Sequence, residues 1–173
     1  MKDITFSIST EAIAKQVKAK AYYTGRSRGE ASSTEAIITD ILDDENEYFV
    51  KASVDSATAS VQSIMGVFGP CSRELQTDGF VQFEATVPDH FDETAKLNMQ
   101  TNITQYCEAK VLYDWFAVTS PADKETYAAL MTQAASEIQS NMRRRVHPAL
   151  MVATQSKALN GTEDPTAPQG EES

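Results

Sequence analysis

Two short segments of the chain alternate between apolar and polar residues. In the first, residues 3–9, Ile4, Phe6 and Ile8 fall on one side and polar residues on the other. Residues 79–87 alternate in the same way. Because successive side chains of a strand point to opposite faces, the pattern predicts two half-buried β-strands. Both are short, so we expect them to pair with each other.

The rest of the chain shows helical spacing, and the first helix is predicted over residues 12–23. Ser9 or Thr10 is suited to the N-cap, because a short hydroxyl side chain can accept a hydrogen bond from the first turn. Gly25 is the residue type that commonly follows the last helical turn. We therefore expect this helix to end at Gly25.

An acidic cluster indicates the start of a second helix, because negative charge is favourable at a helix N-terminus. It consists of Asp43, Asp44, Glu45 and Glu47. The helix should stop at Gly69-Pro70, and residues 71–78 are predicted to form a loop. Residues 34–42 fit either a short helical segment or an extended one, and the pattern does not decide between them.

Two long helices joined by a tight corner are predicted over residues 91–147. Ser120 is suited to the N-cap of the second helix and Pro121 to its first position. The apolar stripe of the first helix runs from Met99 to Val118. Aromatic residues are concentrated beside the corner, which favours a packing hub that fixes the two helices at one angle. The residues of this hub are Tyr113, Trp115, Phe116 and Pro121.

These elements predict a mainly α fold, a four-helix antiparallel bundle-like domain with a small two-stranded β element. We assign residues 1–150 to this helical domain and residues 151–173 to a flexible acidic tail. From Gln155 onward the tail has no aromatic residue and no Val, Ile or Leu except Leu159, so it has little apolar surface to bury.

Composition narrows the classes of function. The net charge is −10, which disfavours a dedicated nucleic-acid binder and favours protein partners. We predict no signal peptide and no membrane span, because no apolar run is long enough, and we expect a cytosolic origin. Cys71 and Cys107 are far apart in sequence, and we expect them to remain free thiols.

No constellation of residues indicates catalysis. The acidic cluster at residues 43–47 lacks the alternating oxygen ligands and the central glycine of an EF-hand loop. His90 and His147 have no partners at the spacing of a metal site or of a catalytic pair. We therefore predict that the protein is not an enzyme and uses no cofactor or metal.

The run Arg143, Arg144 and Arg145 is the most concentrated positive charge. One interpretation is favourable charge at a helix C-terminus. The other is an interface, because successive helical residues point about 100° apart and cannot all serve one face. At least one guanidinium should then be available for a carboxylate or phosphate of a neighbouring molecule.

Several segments together resemble a known family. In chain order they are ITFSIST, DDENEYFVKA, FVQFEATVPDHFD, ITQYCEAKVLYDWFAVTSPADKETY and MRRRVHP. Their order is similar to that of head–tail connector or head-completion (neck) proteins of tailed bacteriophages. The resemblance covers residues 1–148 and is most specific from VLYDWFAVTSPADKETY to the arginine run.

The resemblance implies a virion protein made in the bacterial host cytoplasm and located in the neck. Such subunits form a ring beneath the portal protein, with the portal's twelvefold symmetry. The ring extends the DNA channel without binding DNA specifically and offers a surface to a tail protein or a second neck protein. A ring needs two different patches on each copy, and the acidic helix start and the arginine run are our candidate pair.

Other classes of function stay open from the sequence alone. The main alternative is a monomeric helical protein-interaction adaptor without a role in the virion. A small nucleic-acid-binding regulator and an enzyme fit the net charge and the absence of catalytic spacing less well.

Overall fold

The computed structural model describes residues 1–27 and 46–146. The predicted tail and the ambiguous segment 34–42 lie outside these residues. The described part of the chain is mostly helical, with a small antiparallel sheet, which confirms the predicted fold class. Its elements are β1 (Lys2–Ser9), α1 (Thr10–Ser27), α2 (Glu47–Gly66), β2 (Cys71–Leu75), β3 (Phe80–Val87), α3 (Ala95–Thr119) and α4 (Pro121–Met142).

The first strand leads directly into the first helix. The hydroxyl of Ser9 accepts a hydrogen bond from the backbone N–H of Ala12 at 3.2 Å, which confirms a cap at the predicted place. Ile13 and Val17 are buried, one helical turn apart on the inner face of α1. The predicted end of this helix is wrong, because α1 continues past Gly25 to Ser27.

The sheet has the strand order β1-β3-β2, with both pairs antiparallel. The predicted pairing of the two alternating segments is confirmed, and Phe6 lies opposite Phe83 in the register. Ile4, Phe6 and Ile8 are buried, whereas Thr5 and Ser7 are exposed, as the alternation predicts. The inner face of the sheet therefore packs against the helices while the outer face meets solvent.

The prediction of a loop over residues 71–78 is wrong, because Cys71–Leu75 forms strand β2 against β3. This strand buries little of its side-chain surface, so it shows no apolar alternation that could reveal it in the sequence. The antiparallel backbone pairing with β3 forms it. The β element consequently has three strands rather than two.

Two glycines permit the close turns on either side of β2. Gly79, in the β2–β3 turn, has a positive φ of 78°, which side chains disfavour. A Cβ on Gly69 would lie 2.8 Å from the backbone oxygen of Thr86. Residue 69 must therefore lack a side chain for the chain to leave α2 and pass close beside β3.

The helices α3 and α4 form the predicted antiparallel hairpin. Ser120 is extended between them, with φ −156° and ψ 92°, and Pro121 opens α4. Near the corner the rings of Phe116 and Tyr127 stack with centroids 5.2 Å apart. At the other end of the hairpin, Asp92 lies beside Arg144. The two helices thus run side by side over their full length.

The inner face of α3 is the centre of the core. Met99, Ile103, Leu112 and Phe116 are at most 1% exposed. Val118, which we expected to extend this stripe, is 82% exposed, so that part of the prediction is wrong. Val118 lies in the last turn of α3, and nothing in the described residues covers its side chain.

Candidate interaction surfaces

Each of the three arginines makes a contact within the chain. The Arg143 guanidinium lies 5.1 Å from the ring centroid of Phe68, beyond the end of α2. Arg144 Nε is 3.2 Å from a carboxylate oxygen of Asp92. Arg145 donates from Nη1 to the carbonyl of Met142 at 2.9 Å and so caps the last turn of α4.

The arginine run thereby fixes the place where the chain leaves the domain. Arg145 forms an isolated antiparallel bridge with Phe91, and the N–H of Val146 donates to the carbonyl of His90 at 2.9 Å. All three arginine residues are nonetheless exposed. Guanidinium groups carry five donors, so each retains donors that face solvent. That one of them contacts a neighbouring molecule stays a prediction.

The carboxylate of Asp92 connects this arginine cluster to the start of α3. It accepts hydrogen bonds from the hydroxyl of Thr94 at 2.7 Å and from the Thr94 N–H at 2.9 Å. The Thr94 hydroxyl, then the Thr94 backbone, and also the charge of Arg144 hold the pKa of Asp92 below its usual value. Asp92 therefore stays ionised in the folded protein well into the acid range.

Of the predicted acidic cluster, Glu47 alone lies among the described residues, while Asp43, Asp44 and Glu45 fall outside them. Glu47 is the first residue of α2, where its charge favours the helix dipole. It is 3.0 Å from Lys51, whose hydrogen bond and charge lower the pKa of Glu47. The carboxylate is exposed and accessible from solvent.

The two charged features mark opposite ends of α2. Glu47 begins the helix, and the Arg143 guanidinium lies on Phe68, two residues after its end. Twenty helical residues rise by about 30 Å at 1.5 Å per residue. The structure thus separates Glu47 from the Arg143 guanidinium by about the length of α2, so that these two groups do not pair with each other.

The residues of the predicted hub have different surroundings. Trp115 is 7% exposed and meets Phe49 of α2 edge to face, with ring centroids 5.6 Å apart. Its indole Nε1 is buried and has no hydrogen-bond partner among the described residues. Tyr113 is half-buried between two lysines. The Nζ atom of Lys110 lies 5.9 Å from its ring centroid, and that of Lys124 lies 5.2 Å from it. Pro121 is exposed at the start of α4.

A buried ion pair that we did not anticipate links α1 to α3. Glu108 is only 4% exposed, and the Lys20 ammonium forms a salt bridge with its carboxylate. Because an unpaired buried carboxylate is costly, this lysine makes the burial of Glu108 possible. A signal was present in the sequence, since Glu108 lies one turn before Leu112 and two before Trp115 on the apolar face.

A second unanticipated feature is a groove between α1 and α2, which we call the α1–α2 groove. It has a volume of about 840 Å³, and its apolar lining includes Ala14, Val50, Val54, Leu75 and Val81. Charged residues form its rim: Glu11, Lys15, Lys18, Glu47, Lys51 and Asp55. No sequence pattern could reveal the groove, because it depends on how far apart the two helices lie.

Both cysteines are free thiols, and they differ in surroundings. Cys107 is fully buried on the apolar face of α3, and burial raises its pKa to about 12. Cys71 lies at the start of β2 and is half-buried, which also raises its pKa. Neither thiol has the lowered pKa of a reactive cysteine.

Residues 1–27 and 46–146 contain no group of three or more His, Cys, Asp or Glu side chains arranged to hold a metal ion. His90 takes part in the fold through its backbone carbonyl, and His147 lies outside the described residues. No helix in these ranges has the length and apolar character to cross a membrane.

We compared the chain with protein-family models, with curated proteins and with solved structures, and none of the three comparisons found a match.

Proposed function

We propose that the protein is a structural subunit of a bacteriophage neck, which forms a ring between the portal and the tail. In this function it extends the DNA channel and docks a tail protein or a second neck protein. The proposal starts from the order of segments over residues 1–148, which resembles that of neck proteins. It requires copies of the chain to associate through two different surfaces.

The observation that best supports the proposal is the separation of charge along α2. An exposed carboxylate lies at one end and the arginine cluster at the other, about 30 Å away. Charges of opposite sign at opposite ends of one subunit are suited to head-to-tail contact, because a guanidinium of one copy can meet a carboxylate of the next. Such contacts generate closed rings when the rotation between copies closes.

A reconstitution experiment with portal protein tests the proposal. The full-length chain would be mixed with purified portal rings and analysed by light scattering after size exclusion and by electron microscopy. We expect a complex in which the chain forms a ring with the portal's symmetry. A chain that stays monomeric and does not bind any portal tested, including that of its own phage, would contradict the proposal.

Charge exchange tests the head-to-tail contact. Reversal of Arg143, Arg144 and Arg145 to Glu should abolish ring formation, whereas reversal of Lys96, exposed on the first turn of α3, should leave it intact. Because the arginines also make contacts within the chain, the decisive variant combines their reversal with Glu47→Lys and Lys residues at positions 43–45. Recovery of the ring in that variant supports the contact, and unchanged assembly after arginine reversal would refute it.

A monomeric protein-interaction adaptor is the second candidate, and the α1–α2 groove favours it. An apolar floor with a charged rim is a common way to bind an amphipathic segment of another protein. The same light-scattering measurement separates the two functions. An adaptor would remain monomeric at all concentrations and would not bind the portal protein.

A further inference from the structure

The α1–α2 groove has an apolar floor, part of which is buried and part of which is exposed. Val50, Val54 and Val81 form the buried part of the floor, at most 4% exposed. Leu75 of β2 also lines the groove and is 69% exposed. The volume, about 840 Å³, lies in the range that encloses small ligands and short peptide segments.

The rim of the groove has positive charge available for a partner. Two of its three acidic residues have partners, since Glu47 lies 3.0 Å from Lys51 and Asp55 lies 2.6 Å from Arg73, which leaves Glu11 against Lys15 and Lys18. Within residues 1–27 and 46–146, Lys15 and Lys18 form no salt bridge, although Lys18 lies near Glu47. The groove is therefore suited to a segment that is apolar where it meets the floor and acidic where it passes the rim.

The C-terminal residues of this chain have that composition. Residues 148–153, PALMVA, are apolar. From residue 147 to residue 173 there is one lysine, Lys157, against four acidic residues, namely Glu163, Asp164, Glu171 and Glu172. The described chain ends after Val146, so 27 residues follow the domain.

The position of the exit favours docking on a neighbouring copy. Val146 is fixed to His90, at the end of β3 that pairs with Lys2. Gly79, which lines the groove, precedes the other end of β3. Eight strand residues span about 26 Å, so the exit and the groove lie at opposite ends of the sheet. In a head-to-tail array, the exit of one copy comes next to the groove of the following copy.

We propose that the α1–α2 groove of one copy binds the C-terminal segment 148–164 of its neighbour. The apolar residues of PALMVA cover the floor, and Glu163 and Asp164 meet Lys15 and Lys18. The inference rests on the proposed ring, because it needs copies that associate head to tail. Neighbouring subunits would then share two contacts, the charge contact described above and the docked C-terminal segment.

Photo-crosslinking of the full-length chain tests this assignment. A benzophenone amino acid replaces Leu75, and copies labelled with ¹⁴N and ¹⁵N are mixed before irradiation. Mass spectrometry then identifies both the attached segment and the copy from which it comes. We expect the main adduct to join position 75 to residues 148–164, with mixed-label adducts as frequent as same-label adducts in an equal mixture.

Other attachment sites would overturn the assignment. An adduct with residues 28–45 means that this segment occupies the groove, and tail adducts that never join different labels mean that docking is internal. An adduct with another surface of a second copy, or no adduct with the tail, rejects the segment as occupant. The matched control places the benzophenone at Leu97, which is 73% exposed and outside the groove, and should give no tail adduct.

The charge component is tested by Lys15→Glu with Lys18→Glu in the same chain. We expect the tail adduct at position 75 to fall about tenfold, because two attractive contacts become repulsive. Lys96→Glu is the control and should leave the yield unchanged. If portal rings form but the adduct maps elsewhere, only this inference fails. If the adduct forms between copies that do not bind a portal, the proposed function fails instead.

Discussion

The two halves of the molecule are packed in different ways. In the α3–α4 hairpin, long helices lie against each other along their whole length, and large side chains such as Leu112 and Phe116 are completely buried. The helices α1 and α2 each contact α3 more than they contact each other, and a groove separates them. The comparison teaches that one half supplies the stable core, whereas the other half leaves apolar surface for a partner.

The charged groups follow the same division. Around the hairpin the charged groups contact other parts of the same chain. Glu108 is paired with Lys20, and Asp92 contacts Thr94 and Arg144. Around the groove, Lys15 and Lys18 have no salt bridge among the described residues. Substitutions in the hairpin should therefore lower the stability of the fold, whereas substitutions around the groove should weaken association between copies.

The largest effect on stability is expected for Phe116→Ala. This ring is fully buried and stacks on Tyr127 across the hairpin, so its removal leaves a cavity that the long helices cannot close. We expect a loss of about 3–5 kcal/mol in the free energy of unfolding, measured by denaturant titration. A loss as small as that of a surface substitution would show that the hairpin is not the rigid half.

A smaller loss is expected for Lys20→Ala, which leaves the carboxylate of Glu108 buried without its partner. Burial of an unsatisfied charged group costs about 1–3 kcal/mol, and the half-exposed position of Lys20 favours the lower end. The double variant Lys20→Ala with Glu108→Gln is the control. If the pair acts as described, the double variant should regain part of the lost stability in a thermodynamic cycle.

Asp92 gives the comparison a pH dependence. Its folded pKa is lowered, so the stability it provides is present above its unfolded pKa, about 3.9, and is lost as the pH falls through the folded value. We expect Asp92→Asn to lower Tm at pH 7, by less than Lys20→Ala does. The difference in Tm between the variant and the parent protein should become steadily smaller below about pH 4. A gap that is constant with pH would exclude this linkage.

The smallest effect on stability is expected for Leu75→Asp, in the groove. The side chain is mostly exposed, so the free energy of unfolding should change by no more than about 0.5 kcal/mol. Self-association of the full-length chain, followed by light scattering, should nonetheless weaken. Leu97→Asp, at similar exposure on α3, should change neither quantity. If both variants changed self-association equally, the groove would have no special role in contact between copies.

The structure agrees with the sequence where local rules dominate. The strand alternation of Ile4, Phe6 and Ile8, the cap at Ser9 and the corner at Ser120-Pro121 each depend on neighbours in the chain, and each was predictable. Strand β2 was not predictable, because its pairing partner supplies the hydrogen bonds and its own side chains carry no apolar pattern. Val118 was misjudged because burial depends on what packs nearby.

The candidate surfaces show the same limit. The sequence marked the arginine run as chemically distinctive. The residues that these arginines contact are far away along the chain, namely Phe68 for Arg143 and Asp92 for Arg144. The partner of Glu108 is likewise 88 residues away, at Lys20.

The sequence by itself therefore determined the class of fold, the two alternating strands, the helical hairpin and the arginine run at its end. Periodicity and capping are properties of a few consecutive residues, and they need no knowledge of the rest of the chain. Tertiary structure alone decided the third strand, the buried pair, the separation of charge along α2 and the α1–α2 groove. These features arise from the distances between elements, which packing of the whole core sets.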